Sequence, residues 1–160
     1  MATSMDVVLS DERTLLDAFL DHHRRDAAGM LDGIDEEQAR ERLVASDTTL
    51  LGLLKHLTFV EKVWFVEAIT GVYRTELGLP ADASESFLLT PSDTIASIRD
   101  EYLAACAASR EAVASMAPDD IVSGNWRGEM TLRWIMVHCI RETAQHVGHA
   151  EILREQLLAR

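Results

Sequence analysis

The stretch GEMTLRWIMVHCIRETAQHVGHAEILRE, residues 128–155, predicts one long helix that begins near Thr131 and runs almost to the end of the chain. Each residue advances a helix by about 100°, so side chains three or four positions apart share a face. This spacing gathers apolar and titratable side chains on one face: Trp134, Ile135, His138, Glu142, His146, His149 and Leu153. A carboxylate on such an inward face needs a partner or a metal, because burying an unpaired charge is costly.

Two further helices are predicted upstream from the same spacing of apolar residues. The first begins at Ser10 or Asp11, which are suitable capping residues, and ends at Gly33. The second follows residues 46–49 and stops at Gly71.

A third helix is predicted to start with Thr90 as its cap, with a proline in its first position, and to run to about Met116. A long segment rich in small and polar residues, 71–90, connects it to the second helix, and residues 118–130 lead to the last one. Four long helices with one long crossover predict an all-α fold, a four-helix bundle, that forms a single domain over residues 1–160.

Composition and charge exclude several classes of function. The formal net charge is −12 and no Lys/Arg cluster stands out, so we expect neither a nucleic-acid partner nor an acidic membrane surface. No stretch approaches the roughly 20 apolar residues of a membrane span, and the first residues do not form a signal peptide. Cys106 and Cys139 form no CxxC pair, and both are expected to be packing residues. These features predict a reduced, cytoplasmic protein.

The titratable face of the last helix predicts a divalent metal site. Glu142 and His146 are four residues apart and can reach one ion together. A third ligand must come from another helix, and His56, in the middle of the second helix's apolar face, is the best candidate. Two other interpretations stay open: the histidines can be hydrogen-bonded core residues, or Glu142 can pair with Arg141 or with Arg133 of another subunit.

These residues belong to motifs that resemble the DinB-like superfamily, most closely its actinobacterial-type branch. The resemblance covers nearly the whole chain and rests on TLLGLLKHLTFVEKVWF, residues 49–65, and on residues 128–155. FLDHHR and LDGIDEEQAR give weaker support. The superfamily is similar to mycothiol-dependent maleylpyruvate isomerase and to bacillithiol-dependent thiol transferases. The resemblance implies an up-down-down-up bundle, and homodimers are common in the superfamily.

The resemblance also implies a ligand set. The superfamily's usual metal site takes one histidine from the second helix and a His-x3-His pair from the last. His56 matches the first place and His146 the last, while Glu142 stands where many members have histidine. His138 matches a frequent histidine one turn earlier, and His149 stands where many members have glutamine. The implied site has two histidines and one carboxylate. The negative charge of the carboxylate makes a metal-bound water less acidic than it would be at a site of three histidines.

The leading hypothesis is a metal-dependent enzyme, an S-transferase or isomerase that uses a low-molecular-weight thiol such as mycothiol and a small electrophile. Zinc or nickel is expected ahead of iron or manganese. Several other side chains are expected to orient the ligands, move a proton or line the pocket: His23, His138, His149, Trp64 and, more speculatively, Met30 and Trp126.

Two alternatives remain from the sequence. The protein can be a non-catalytic, dimeric stress-response protein that binds a metal or a small ligand. It can also be a purely structural helical dimer, in which the titratable face of the last helix is a hydrogen-bonded core.

Overall fold

The computed structural model describes residues 3–159 and is mostly helical, so the predicted all-α class is confirmed. Its α-helices are α1 (Glu12–Gly29), α2 (Glu36–Arg40), α3 (Leu50–Lys62), α4 (Ala68–Thr70), α5 (Ile95–Ala112) and α6 (Leu132–Leu158). A π-helical turn (Val63–Glu67) joins α3 to α4, and a 3-10 turn (Ala83–Phe87) lies in the crossover. Two short antiparallel strands, which were not predicted, precede α6: β1 (Ile121–Val122) and β2 (Met130–Thr131).

Capping side chains set the predicted starts of three helices. The Asp11 carboxylate accepts from the Thr14 N–H at the start of α1, and the Thr49 hydroxyl caps α3 by accepting from a backbone N–H. Thr131 does the same for α6. Gly71 has a φ of 74° and ends α4, as predicted, because glycine enters the left-handed region without steric cost.

The predicted start of the third long helix is wrong by one turn. The Thr90 N–H donates to the Asp93 carboxylate within a tight turn, and the same carboxylate pairs with Lys55 of α3 at 2.8 Å. The helix, α5, starts after Thr94 instead, whose hydroxyl accepts from the Ser97 N–H while the Ser97 hydroxyl accepts from the Thr94 N–H. Thr90 with Asp93 and Thr94 with Ser97 are two successive capping signatures that compete here. The ion pair with Lys55 of α3 holds Asp93 in the turn.

Two predicted helix ends lay too far along the chain. The first long helix, α1, ends before a turn that finishes at Gly33. The helix α5 ends at Ala112 rather than near Met116, because the Arg13 guanidinium of α1 donates to backbone carbonyls in this segment.

The long helices pack so that α1 contacts α6, and α3 contacts both α5 and α6. A buried ion pair links α1 to α3, with Arg24 Nη2 2.7 Å from Glu61 Oε2. Cys106 and Cys139 are free and buried, as predicted. The contact between α3 and α6 is the interface that brings His56 to the histidines of the last helix.

The π-helical turn changes the direction in which the end of this helical segment faces. The Ala68 N–H donates to the Val63 carbonyl, five residues back. Glu67, the last residue of the turn, is fully buried and pairs with Arg74 of the crossover at 3.0 Å. Within residues 3–159, no helix is long and apolar enough to cross a membrane.

Candidate metal centre

Three side chains from two helices form the centre of the candidate site: His56 of α3, and Glu142 and His146 of α6. Their potential ligand atoms lie within 4.8 Å of one another, and this is the one such group found within residues 3–159. His146 Nε2 is 3.6 Å from Glu142 Oε2, and the two imidazole centroids are 4.7 Å apart. Ligand atoms on one zinc ion are roughly 3.4 Å apart in a tetrahedron, so small side-chain rotations would close this group around an ion.

The crossover orients His56 toward the other two side chains. The Ser86 hydroxyl donates to the Ala83 carbonyl at 2.5 Å, so its oxygen accepts from His56 Nδ1–H at 2.7 Å. This hydrogen bond assigns the proton to Nδ1 and leaves Nε2 with a free lone pair. Phe87 stacks on the imidazole at 3.9 Å between centroids and fixes the plane of the ring. Such an outer hydrogen bond is typical of histidines that bind metals.

His146 has a polar atom that the protein does not satisfy. Its Nδ1 is buried and has no hydrogen-bond partner among the residues that the structure describes. A buried, unpaired ring nitrogen costs free energy, and a histidine of a finished hydrophobic core would be hydrogen-bonded. This observation argues against a fully hydrogen-bonded core, which was the alternative interpretation.

Both histidines are held neutral, which is the form that binds metals. Burial, and then the positive charge that His146 carries when it is protonated, lowers the pKa of His56 to about 3. Burial also lowers the pKa of His146, and it outweighs the nearby Glu142 carboxylate, which acts in the opposite direction. The two lone pairs therefore remain available at neutral pH.

Glu142 lies between two imidazoles and is partly open to solvent, with 21 % of its side chain exposed. His138 Nε2 is 4.0 Å from its carboxylate on the side opposite His146. Arg141 also pairs with Glu142, which agrees with one alternative from the sequence. Because the Arg141 side chain is 61 % exposed, it can turn into solvent and leave the carboxylate free to bind an ion.

Aromatic side chains extend the site along α6, away from His146. The rings of Trp134 and His138 stack with centroids 4.9 Å apart, and Trp64 contacts His138 edge-on at 4.4 Å. Burial lowers the pKa of His138, while the Glu142 carboxylate opposes the shift. Of the predicted pocket or orienting residues, His138 thus lies beside Glu142, and Trp64 lies against His138.

The remaining predicted residues lie in different places. His149 is exposed at the other end of the group, with its ring centroid 5.7 Å from that of His146. His23 contacts His22 and the Asp26 carboxylate on its own helix, outside the three-residue group. Met30 packs in the hydrophobic core and also lines a cavity whose walls include none of the three residues of the group.

Three residues near the site were not predicted from the sequence: Ser86 and Phe87, which orient His56, and Arg127. Both crossover residues lie in a segment with no helical period, so no spacing rule connects them to α3. Their signal was an aromatic residue next to a serine within an otherwise small and polar stretch. Arg127 follows Trp126 in a loop, and its guanidinium lies 5.6 Å from the ring centroid of Trp64.

A comparison with protein families places the chain in a described family. The family model described as mycothiol-S-transferase matches residues 15–159, a range that contains all the residues of the site. The chain matches no curated protein.

Proposed function

Because the chain belongs to the mycothiol S-transferase family, which is DinB-like as predicted, we propose that it is a divalent-metal-dependent thiol S-transferase. The proposed reaction joins the sulfur of a low-molecular-weight thiol, mycothiol first, to a carbon of a small electrophile. A sulfur–carbon bond forms, the thiol loses its proton, and the electrophile gives up a leaving group or takes up a proton.

One observation carries the metal dependence. Three potential ligands converge from two helices, namely His56, Glu142 and His146. A hydrogen bond between His56 Nδ1 and Ser86 leaves Nε2 of His56 free. Two neutral imidazoles and one carboxylate are ligands that suit zinc, nickel, iron and manganese. We propose zinc or nickel ahead of iron or manganese, because the affinity of such sites rises from manganese and iron to nickel, and histidine with carboxylate is a common ligand set for zinc.

The side chains around the group then have distinct roles. A divalent metal held there would act as a Lewis acid and lower the pKa of the thiol. Ser86 and Phe87 keep His56 in position, and His138 Nε2, neutral and 4.0 Å from Glu142, can accept a proton at the edge of the site. Trp64 and Trp134 exclude water on the same side.

The finer architecture belongs to the same proposal. Contacts of α1 with α6 and of α3 with α5 and α6 support a single-domain, up-down-down-up four-helix bundle. A homodimer has support from the family resemblance and from exposed apolar side chains on two helices, Leu103, Val137 and Ile152. We propose a cytoplasmic location, where low-molecular-weight thiols are kept reduced.

The test is metal analysis of protein purified without a histidine tag, followed by turnover of mycothiol with chlorodinitrobenzene before and after chelation. We expect the wild type to retain bound metal and His56→Gln to lose it. Turnover should be lost after chelation and should return when metal is restored. His22→Gln is the matched control, since His22 lies on α1 and pairs with Asp26. Metal without turnover by any thiol would support the non-catalytic alternative, and wild-type protein that retains no metal would contradict both.

A further inference from the structure

Arg127 is surrounded by all three tryptophans of the chain. Its guanidinium carbon lies 4.5 Å from the ring centroid of Trp126, 5.6 Å from that of Trp64 and 5.9 Å from that of Trp134. Within residues 3–159 it has these ring contacts and no carboxylate partner, whereas Arg133, nearby on α6, pairs with two carboxylates. Ring faces attract the charge but use none of the in-plane N–H donors. The guanidinium thus retains its capacity to bind an anion.

The loop that carries Arg127 is fastened to the rest of the protein. The Gly124 N–H donates to the Ala68 carbonyl at 3.0 Å, and a Cβ at Gly124 would lie 2.6 Å from that oxygen. The Asn125 side chain accepts from the Arg127 N–H at 2.8 Å, and the β1–β2 pairing closes the loop on both sides. Such anchoring positions the guanidinium before any ligand arrives, which reduces the cost of binding.

A cavity of about 310 Å³ lies beside this guanidinium, lined by Arg127, Glu129, Met130, Thr131 and Trp134. Its volume is at the small end of the range for ligand pockets. Trp134 is shared with the metal centre, because its ring stacks on His138, which faces Glu142. The cavity is therefore connected to the three-residue group through Trp134 and His138, whereas its lining contains none of the three residues.

We propose that this cavity binds the electrophilic substrate, and that Arg127 recognises a carboxylate on it. The planar guanidinium can bind the two carboxylate oxygens together, while Trp134 and Met130 contact the apolar body of the molecule. Glu129 in the same lining repels a second negative group, so the substrate class is a small monoanionic carboxylic acid with an apolar body. This inference rests on the proposed thiol-transfer function for the identity of the ligand.

Intrinsic tryptophan fluorescence reports on this cavity, because every tryptophan of the chain contacts Arg127. The experiment titrates metal-free protein, in chelator, with phenylacetate and with its neutral isostere phenylacetamide. The variants are Arg127→Gln, which removes the charge, and Arg127→Lys, which keeps the charge but loses the planar pair of donors. Arg99→Gln is the control, an arginine of α5 that pairs with Asp32.

We expect saturable quenching by phenylacetate in the wild type and in Arg99→Gln. The wild type should bind phenylacetamide roughly tenfold or more weakly than phenylacetate, and Arg127→Gln should bind phenylacetate more weakly than the wild type by the same factor. The affinity of Arg127→Lys for phenylacetate should lie between those of the wild type and Arg127→Gln. Equal binding of the two probes, equal binding by Arg127→Gln and the wild type, or no saturable response in the wild type would overturn the inference. Because no metal or thiol is present, a failure here is separate from a failure of thiol transfer.

Discussion

Replacing Glu142 with glutamine tests the metal centre most sharply. Glutamine keeps the size of the side chain and removes the anionic member of the group His56, Glu142 and His146. The change should weaken the binding of divalent metal strongly. Glu142→His should restore binding, because it places three imidazoles at the same positions of α3 and α6.

The expected thermal shifts follow from ligand linkage. At free metal about 100 times the dissociation constant, binding stabilises the folded state by about 2.7 kcal/mol. A chain of this length gains about 2–4 °C in Tm per kcal/mol, so the wild type should gain about 5–10 °C. Loss of a supporting residue outside the ligand set costs about 10–100-fold in metal affinity, so loss of a ligand should cost about 100-fold or more. The same metal concentration then stabilises Glu142→Gln by only about 0.4 kcal/mol, or about 1 °C.

The metal-free proteins provide the reference. Glu142 is partly exposed and its partner Arg141 is mostly exposed, so their ion pair contributes about 0–1 kcal/mol. Without metal, Glu142→Gln should therefore melt within about 4 °C of the wild type. Arg141→Gln is the matched control, because it removes the same ion pair and keeps the carboxylate.

The assay is thermal unfolding of the four proteins in chelator, then with Zn²⁺, Ni²⁺ or Mn²⁺. We expect a full metal-induced shift in the wild type, Arg141→Gln and Glu142→His, and almost none in Glu142→Gln. Equal shifts in the wild type and Glu142→Gln would refute the assignment of Glu142 as a ligand, and with it most of the argument for metal-assisted catalysis.

Three further predictions concern residues around this group. Ser86→Ala removes the oxygen that orients His56, so a competition titration with a chelating dye should show metal affinity about 10–100-fold lower, whereas Ser84→Ala in the same turn should match the wild type. The pKa of His56 is about 3 in the folded protein and about 6.5 in the unfolded chain, so the unfolded chain binds one more proton at this residue between these pH values. As pH falls through this range, His56 should therefore lower the free energy of unfolding of the metal-free protein by about 1.4 kcal/mol per pH unit. Urea unfolding of His56→Gln should lack this contribution. Burial raises the pKa of Cys106 to about 12 and raises the pKa of the fully buried Cys139 well above its usual range, so iodoacetamide at neutral pH should alkylate the native protein far more slowly than the unfolded protein. Cys106→Ala should keep the turnover of the wild type. Rapid alkylation of the native thiols would contradict the proposal that the cosubstrate supplies the sulfur.

Helical spacing was sufficient to predict the part of the site that belongs to regular helices. The period of about 3.6 residues is a local property, so it placed Glu142 and His146 on one face of α6 and His56 on the apolar face of α3. The resemblance to DinB-like proteins, carried by the same two helices, is confirmed by the family match. The arrangement of the helices as an up-down-down-up bundle and the homodimer stay predictions.

The errors come from contacts between segments far apart in the sequence. The start of α5 could not be chosen locally, because the ion pair of Asp93 with Lys55 decides between two capping signatures. Ser86 and Phe87 reach His56 only because the crossover folds back onto α3. Arg127 is in a similar position, since its loop depends on a hydrogen bond from Gly124 to Ala68, the first residue of α4.

The π-helical turn between α3 and α4 has an evolutionary consequence. A wide turn of this kind contains one residue more than α-helical geometry needs, so it behaves as a single-residue insertion absorbed within a helix. Deleting one residue from Val63–Glu67 would restore a regular helix and rotate everything beyond it by about 100°. The carbonyl of Ala68 would then turn away from Gly124, and the Arg127 loop would lose its anchor while His56, upstream of the turn, kept its place. A one-residue gap at this point in a homologue would therefore mark a protein that keeps the group of His56, Glu142 and His146 but lacks the anchored Arg127 loop.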